Sequence, residues 1–242
     1  MPFELENGLE IQDLVNGQTE HLEEYIDIYK TLFPQYVRYI PIMRKRASLS
    51  FNSMDIERWH QWLLRLNRQA VGIAGFLYNR RRNIGLLMDL AIKPEARSFV
   101  ASNGERFARH VLDLAIQQLK LDALEDGMNG PLCMAAEVEH RALLEQYTRY
   151  GYVKYPVEYF EPPGTPELAN ITQEPDDLKK IGFGQMYVGA FPVPGNEVHV
   201  DSPKVVKEVL NAFLIDHYRL SSDHWLIQKL IAGNSEKESR DE

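Results

Sequence analysis

The sequence has a single cysteine, Cys133, and no long uninterrupted apolar run. One cysteine cannot form an internal disulfide bond, which fits a reducing compartment. The longest apolar stretch, residues 70–78 with its glycines, is far shorter than the roughly 20 residues that cross a bilayer as a helix. The acidic N-terminus lacks the basic start and apolar core of a signal peptide. We therefore expect a cytoplasmic protein with no membrane partner.

Positive charge is also scarce, with 27 Lys and Arg residues against 35 Asp and Glu residues and a formal net charge of −8. This balance gives no general attraction to nucleic acid or to an anionic membrane. A local basic cluster could still bind a phosphorylated cofactor. The seven histidines show no close-spaced metal-ligand pattern, so we expect no metal. The sequence also contains no nucleophile elbow and no Walker loop.

The length of 242 residues suits one medium domain with appendages or two small domains. Hydrophobic residues make up 44% and charged residues 26%, as in average soluble globular proteins. We expect a main domain over residues 1–195. A helical extension with a polar tail is expected over residues 196–242.

Apolar periodicity predicts a strand near the N-terminus and then two helices, the second with Ser53 as its N-cap and with Trp59 and Trp62 on its buried side. Three short apolar runs, separated by tight polar turns, predict an antiparallel meander over residues 62–92. The second of these turns contains Arg80, Arg81 and Arg82, which we expect to be solvated.

The second half of the sequence begins with a helix start signal, in which Ser102 and Glu105 form a capping box. A strand at 132–138 and a helix closed by Gly151 follow. Two further strand candidates and helices after Ser202 complete the chain. A mixed order of this kind predicts an α+β fold.

Three segments of the sequence form a recognisable series. Residues 62–77 contain a polar turn followed by Val71-Gly72, residues 88–97 are an apolar strand that ends in Pro-Glu-Ala-Arg, and residues 144–152 end in Tyr-Thr-Arg-Tyr-Gly-Tyr. In this order they resemble the GNAT family of N-acetyltransferases, over about residues 9–191. The resemblance implies a mixed, mostly antiparallel sheet flanked by helices, with a C-terminal helical extension. It also implies acyl transfer from acyl-coenzyme A to an amine in a ternary complex.

The same resemblance suggests catalytic residues. Tyr147 matches the tyrosine that protonates the leaving thiolate, and its ordinary pKa of about 10 keeps it protonated at neutral pH. A base must deprotonate the amine, and Asp89, inside an apolar strand, is the first candidate. Glu137 and Glu139 are the alternatives. Alternatives to these catalytic roles remain open. In them, Tyr147 only packs in the core and Asp89 faces solvent.

The donor implied by the resemblance is acetyl-CoA or another acyl-CoA. Strand amides would hold the oxyanion, and a helix N-terminus with nearby arginines, Arg109 among them, would hold the pyrophosphate. The expected donor contacts are Leu90, Ala91, Ile92, Arg97, Asn103, Gly104, Arg106 and His140. The loop after Arg97 departs from the family, because it is longer and Gly104 is its only glycine before the helix.

Three readings of the function therefore stand, the third being acyl transfer to a hydroxyl group or from an acyl-carrier protein. In the first, the protein is an acyltransferase that acts on a small-molecule amine, with a homodimer left open. In the second, it is a degenerate GNAT-like domain that binds a ligand or a partner without acyl transfer. The altered loop and the C-terminal helices motivate the second reading.

Overall fold

The structure is a computed structural model that describes residues 3–4, 8–49 and 55–230. The chain divides into two compact units. The first unit comprises residues 1–80 and 87–129, and the second comprises residues 81–86 and 130–242. The fifth strand thus begins in the second unit and continues in the first.

Among its described residues, the first unit combines antiparallel strands with three α-helices. Its elements are β1 (Phe3–Glu4), β2 (Leu9–Asp13), α1 (Leu22–Leu32), α2 (Ile40–Ser48), β3 (Glu57–Leu66), β4 (Gln69–Asn79), β5 (Ile84–Ile92) and α3 (Phe107–Glu125). Strands β1 to β4 pair in sequence order, each antiparallel to the next. The expected hairpin between the first two apolar runs of the meander is confirmed.

The turn of this hairpin is set by two residues, Asn67 and Arg68. Both have positive φ angles, of 50° and 68°. A two-residue loop with both φ angles positive matches the right-handed twist of the strands on either side. Strand β4 then runs almost entirely buried, as a continuous apolar run does when both faces of the strand are covered.

The helix predicted from Ser53 is wrong. Ser53 itself lies outside the described residues, but Trp59 and Trp62 belong to β3 and pair with Leu77 and Ala74 of β4. A short apolar run fits either a helix or a strand, and here cross-strand pairing decides the outcome.

The second α-helix among the described residues is instead α2, which has a proline in its first turn. It buries Met43 and Ala47 in a cluster with Ile26 of α1, Leu63 of β3 and Ile73 of β4. Each fully buried aliphatic side chain of this kind contributes about 1.5–3 kcal/mol. This cluster is the core that holds α1 and α2 to the strands of the first unit.

The second unit is built around one long strand. Its elements are β6 (Cys133–Val138), α4 (Arg141–Arg149), β7 (Val153–Lys154), β8 (Tyr159–Glu161), β9 (Gly184–Pro192), α5 (Pro203–Asn211), a π-helical segment (Ala212–His217) and a helical segment at 225–230. Strand β9 pairs antiparallel with β6, β7 and β8. The predicted α+β class, with mostly antiparallel pairing, flanking helices and helices at the C-terminal end, is confirmed. A domain boundary after residue 195 stays a prediction.

The arginines of the turn before β5 are not merely solvated, which corrects the expectation. In the second unit, Arg81 and Arg82 each donate to the buried carboxylate of Asp216 at 2.9 Å, and Arg82 also donates to Glu208 at 3.0 Å. In the first unit, Arg80 pairs with Asp126 at 2.7 Å. The acidic partners lie 46 to 135 positions away in sequence, so local sequence gives no sign of them.

A buried histidine ties α3 to the strands of the first unit. The ring of His60 contacts Asp13 through Nδ1 at 2.6 Å and Asp122 through Nε2 at 2.9 Å, and it stacks on Phe76. Burial alone would lower the pKa of His60, but the two carboxylates raise it to about 9. His60 is therefore a buried cation held between two acids.

This network predicts a specific dependence of stability on pH. Because the pKa of folded His60 exceeds its unfolded value of about 6.5, its contribution is complete below that pH and is lost as the pH rises through about 9. We expect a loss on the order of 3 kcal/mol, measured as the urea unfolding free energy between pH 6 and pH 9.5.

The His60→Gln variant is the control for this prediction. This variant should be less stable than the wild-type protein at pH 6. Its unfolding free energy should lack the decrease between pH 6 and pH 9.5 that His60 causes. Equal pH slopes in the two proteins would contradict the assignment of a charged His60.

Candidate active site

Glu137 lies near the end of β6, opposite Val188 of β9. The Tyr159 hydroxyl donates to its Oε1 atom, and the Tyr218 hydroxyl donates to its Oε2 atom at 2.7 Å. Tyr159 belongs to β8, and Tyr218 directly follows the π-helical segment. Three separate elements of the second unit therefore meet at one carboxyl group.

The surroundings of Glu137 determine its charge. The residue keeps some exposure, but its carboxyl group is enclosed by protein, and this burial raises the pKa of Glu137 to about 8. The nearby charge of Glu161 raises the pKa further, while the two tyrosine hydroxyls lower it. A carboxyl group that ionises close to neutral pH is suited to act as a general base.

The two tyrosines that contact Glu137 act as hydrogen-bond donors. Burial, followed by the charge of Glu137, raises the pKa values of Tyr159 and Tyr218 well above that of a free phenol. Both hydroxyls therefore keep their protons over the whole physiological range. The arrangement is one acid–base group held by two donors that do not titrate.

Tyr147 lies on α4 and is buried, with 6% of its surface exposed. Its ring packs against Phe191 at 5.2 Å and against Tyr152 at 6.0 Å between centroids. Its carbonyl accepts the N–H groups of Tyr150 and Tyr152, which ends the helix around Gly151, a residue with φ of +91°. The aromatic packing fits the structural reading of Tyr147, and its role as an acid stays a prediction.

His140 and Glu139 precede α4 and lie in solvent. His140 occupies the N-cap position, but its side chain makes no capping hydrogen bond. Its Nε2 atom lies 3.5 Å from a Glu139 oxygen. Glu139 is exposed, whereas the carboxyl group of Glu137 is enclosed, and the role of either residue as the base stays a prediction. Donor binding by His140 stays a prediction.

Asp89 lies on β5 in the first unit and is partly buried. A Cβ atom placed on Gly75 would lie 3.0 Å from the Asp89 Oδ2 atom and 3.3 Å from the Tyr25 hydroxyl. The carboxylate therefore lies on the side of the strands that α1 covers. After burial, the charge of Asp89 is the next largest cause of the raised pKa values of Tyr25 and Tyr29.

A guanidinium group shares these surroundings. Arg46 of α2 stacks on the Trp59 ring at 3.1 Å. Burial lowers the pKa of Arg46 to about 10, while the charges of Glu57 and Asp89 counter this effect. The charge of Asp89 thus acts on Arg46, and the role of Asp89 as a base stays a prediction.

The predicted oxyanion segment, Leu90, Ala91 and Ile92, forms the end of β5. The Ala91 carbonyl approaches β4 so closely that a Cβ atom on Gly72 would lie 2.6 Å from it. Arg97 donates from Nε to the Ile92 carbonyl at 3.0 Å, which fixes this arginine beside the strand end. Stabilisation of an oxyanion by the amides of 90–92 stays a prediction, as does donor binding by Arg97.

The predicted start of the third helix is wrong. Helix α3 begins at Phe107, with Arg106 as its N-cap residue. Asn103 and Gly104 instead lie in a small exposed hairpin before the helix, in which Val100 pairs with Arg106. Gly104 provides the positive φ, +81°, that this turn requires.

Local hydrogen bonds explain why no capping box forms. The Asn103 side-chain oxygen accepts the Glu105 N–H at 3.0 Å, and the Asn103 amide donates to the Glu105 carboxylate. An asparagine that bonds to the backbone two residues on favours a turn over a helix. In addition, Arg109 of α3 is paired with Asp113 at 2.8 Å. Pyrophosphate binding by Asn103, Gly104 and Arg106 stays a prediction.

The sequence did not indicate the tyrosines that hold Glu137. Tyr159 is 22 positions and Tyr218 is 81 positions from Glu137. Neither tyrosine lies in a motif. The residues next to a tyrosine on a strand or after a helix do not indicate that its hydroxyl binds a distant carboxylate. Only the pairing of β8 with β9 and the path of the C-terminal helices bring them together.

Two further observations concern the described ranges alone. They contain no group of three or more histidine, cysteine, aspartate or glutamate side chains arranged to hold a metal ion. Among the helices in these ranges, none combines the length and apolar content that crossing a bilayer requires.

No protein-family model and no curated protein matches the chain. Among solved structures, one described as a GNAT-family acetyltransferase from Desulfovibrio desulfuricans has a TM-score of 0.50 at 10% identity, covering 76% of this chain and 99% of its own. Another, from Bacteroides thetaiotaomicron, has a TM-score of 0.47 at 12% identity, covering 87% and 99%.

A third similar structure is a spermidine N-acetyltransferase chimera from Vibrio cholerae and hSSAT, with a TM-score of 0.46 at 12% identity, covering 76% of this chain and 95% of its own. The likeness to the Desulfovibrio structure is the one that bears on the fold. The chain has the fold of the GNAT acetyltransferases, as its sequence predicts. At this level of identity the likeness establishes the fold alone.

The close approach of Ala91 to Gly72 gives a testable prediction. Gly72→Ala should destabilise the protein by about 1–3 kcal/mol, because the new methyl group meets a backbone carbonyl that cannot rotate away. Gly75→Ala is the matched control and should cost less, because its nearest neighbour is the movable Asp89 side chain. Urea unfolding measures both, and an equal or larger cost for Gly75→Ala would contradict this geometry.

Proposed function

We propose that the protein is an acyl-CoA-dependent N-acyltransferase, with acetyl-CoA as the simplest donor and a small-molecule amine as the acceptor. The observation that carries the proposal is the enclosed Glu137 on a GNAT fold, with a pKa of about 8 and two tyrosine donors. The same unit holds Tyr147, the candidate acid. The candidate base and the candidate acid of an amine acyl transfer thus belong to the same unit.

In the proposed reaction, the amine arrives as an ammonium ion, and the Glu137 carboxylate takes one of its protons directly or through a water molecule. The freed nitrogen attacks the thioester carbonyl carbon of the donor. A C–N bond forms, and an electron pair moves onto the carbonyl oxygen.

Collapse of this intermediate restores the carbonyl group and breaks the C–S bond, whose electron pair leaves with sulfur. Tyr147 gives its proton to the thiolate. A second proton, lost from the nitrogen, then reprotonates Tyr147 through solvent. The products are an amide, free coenzyme A and one released proton. Asp89 is the alternative base, but its charge already interacts with Arg46 and with two buried tyrosines, which favours Glu137.

A second candidate function is a GNAT-like domain that binds a ligand or partner without acyl transfer. The observation that favours it is the loop before α3, where Asn103 and Gly104 lie in a hairpin and not at the helix N-terminus. Helix N-termini are good anion sites because their N–H groups are unpaired and the dipole is favourable. A changed loop therefore weakens the case for pyrophosphate binding.

Donor binding separates the two functions. If the protein is an acyltransferase, coenzyme A and acetyl-CoA should raise its melting temperature, since a ligand at 100 times its Kd stabilises a fold by about 2.7 kcal/mol. Differential scanning fluorimetry measures this shift, with ATP as the control for adenine nucleotides in general. The absence of a shift with coenzyme A, acetyl-CoA and longer acyl-CoAs would contradict donor binding.

The acid role of Tyr147 has its own test. We expect Tyr147→Phe to lower kcat about 100-fold or more, because general acid catalysis typically contributes that much. The matched control is Tyr150→Phe, which removes a tyrosine hydroxyl at the end of the same helix. That hydroxyl accepts a hydrogen bond from the Gln146 side chain. Acetylation of a panel of amines is followed by release of free thiol. A Tyr147→Phe protein with the wild-type rate would show that Tyr147 is only a core residue.

A further inference from the structure

Tyr218 belongs to the C-terminal segment, which the sequence marked only as a helical extension. Its hydroxyl lies 2.7 Å from the Glu137 Oε2 atom, so a residue from this segment contacts the candidate base directly. The contact joins residues 81 positions apart, and both residues belong to the second unit.

The position of Tyr218 is fixed from its main chain. Its N–H donates to the Phe213 carbonyl at 2.8 Å, which closes the wide turn of the π-helical segment. Short π-helical turns are rare and occur often at functional sites. This turn places the Tyr218 ring where a regular α-helical turn would not.

Ion pairs hold the same turn. Asp216, two positions before Tyr218, is fully buried and accepts hydrogen bonds from Arg81 and Arg82. Arg82 also contacts Glu208 of α5. The turn that carries Tyr218 is therefore anchored to the residues that lead into β5.

The groups that act on Glu137 come from several elements. Tyr159 donates to its other carboxylate oxygen, and the charge of Glu161 opposes its ionisation. Tyr152 also lies within the electrostatic reach of Glu137, but its hydroxyl donates to the Ala136 carbonyl at 2.8 Å. Within the described part of the chain, Tyr159 and Tyr218 are thus the residues whose hydroxyl groups bond to this carboxyl group.

We propose that Tyr218 is a positioning residue for acyl transfer, whose hydroxyl orients the Glu137 carboxylate and stabilises its ionised form. The C-terminal helical segment is then part of the active centre and not an accessory. The catalytic part of this inference rests on the proposed function. The effect of the Tyr218 hydroxyl on the ionisation of Glu137 can, however, be measured without turnover.

The physical basis is simple. A donor that bonds to the charged form of an acid lowers the pKa of that acid, and its removal raises the pKa again. A hydrogen bond to a charged group is strong enough to move the ionisation midpoint of Glu137 by about one pH unit. A residue that merely fills space near Glu137 would leave the midpoint unchanged.

The test is an infrared titration of the Glu137 carboxyl group. The protonated C=O stretch is isolated as the difference between each protein and the same protein with Glu137→Gln, and it is followed against pH. The wild-type midpoint should lie near pH 8. In Tyr218→Phe it should rise by about one pH unit.

Tyr155→Phe is the matched control, since it removes another buried tyrosine hydroxyl of the same unit, one that donates to the Val200 carbonyl at 2.9 Å. Its midpoint should equal that of the wild type. An unmoved midpoint in folded Tyr218→Phe would overturn the proposal, whether or not the protein is an enzyme.

If Tyr218→Phe does not fold, 3-fluorotyrosine at position 218 keeps the ring and the hydroxyl but makes the phenol a stronger donor. The midpoint should then fall, and an unchanged midpoint would also overturn the proposal.

The kinetic consequence separates this inference from the proposed function. In Tyr218→Phe, the acidic limb of kcat/KM for amine acylation should move to higher pH by the same amount as the infrared midpoint. A shifted infrared midpoint in a protein that acylates no amine would overturn the proposed reaction while upholding the contact. A shifted infrared midpoint with an unshifted kinetic limb would overturn the positioning role.

Discussion

Burial of the Glu137 carboxyl group is the constraint around which the second unit is arranged. An ionised carboxylate enclosed by protein is costly unless donors compensate for lost water. Tyr159 and Tyr218 supply those donors from β8 and from the end of the π-helical segment. Strand pairing on β9 and the path of the last helices are both needed to bring these hydroxyls to one place.

The same principle recurs elsewhere in each unit. In the first unit, His60 is a buried cation between Asp13 and Asp122. In the second, Asp216 is a buried anion between Arg81 and Arg82. In each case a buried charge is balanced by partners from distant segments. Glu137 differs because its partners are neutral hydroxyls, which leave it free to gain and lose a proton near neutral pH.

Much of the fold could be predicted from local sequence. Helices α1, α4 and α5 and strands β4 and β9 follow from apolar periodicity and local end signals, and the structure confirms these elements. The errors occurred where pairing with another strand, or a competing local turn, decides the structure. Pairing with β4 makes a strand of the segment that contains Trp59, and the Asn103 turn moves the start of α3 to Phe107.

The candidate site was predictable only in part. Tyr147 could be named because it lies in a segment that resembles a family pattern, and Glu137 could be named because it lies at the end of the predicted strand at 132–138. Tyr159 and Tyr218 could not, because their roles depend on contacts across 22 and 81 positions. The preference for Glu137 over Asp89 also needed the structure, since burial and neighbouring charge cannot be read from either strand alone.

The most direct test of the account is the pH dependence of acyl transfer in the wild-type protein and in Glu137→Gln. With Glu137 as the base, the wild-type kcat/KM should rise with pH and level off above a midpoint near 8. The Glu137→Gln protein should lose that limb, together with about 100-fold or more of its activity. An intact limb and an unchanged rate in Glu137→Gln would contradict the account.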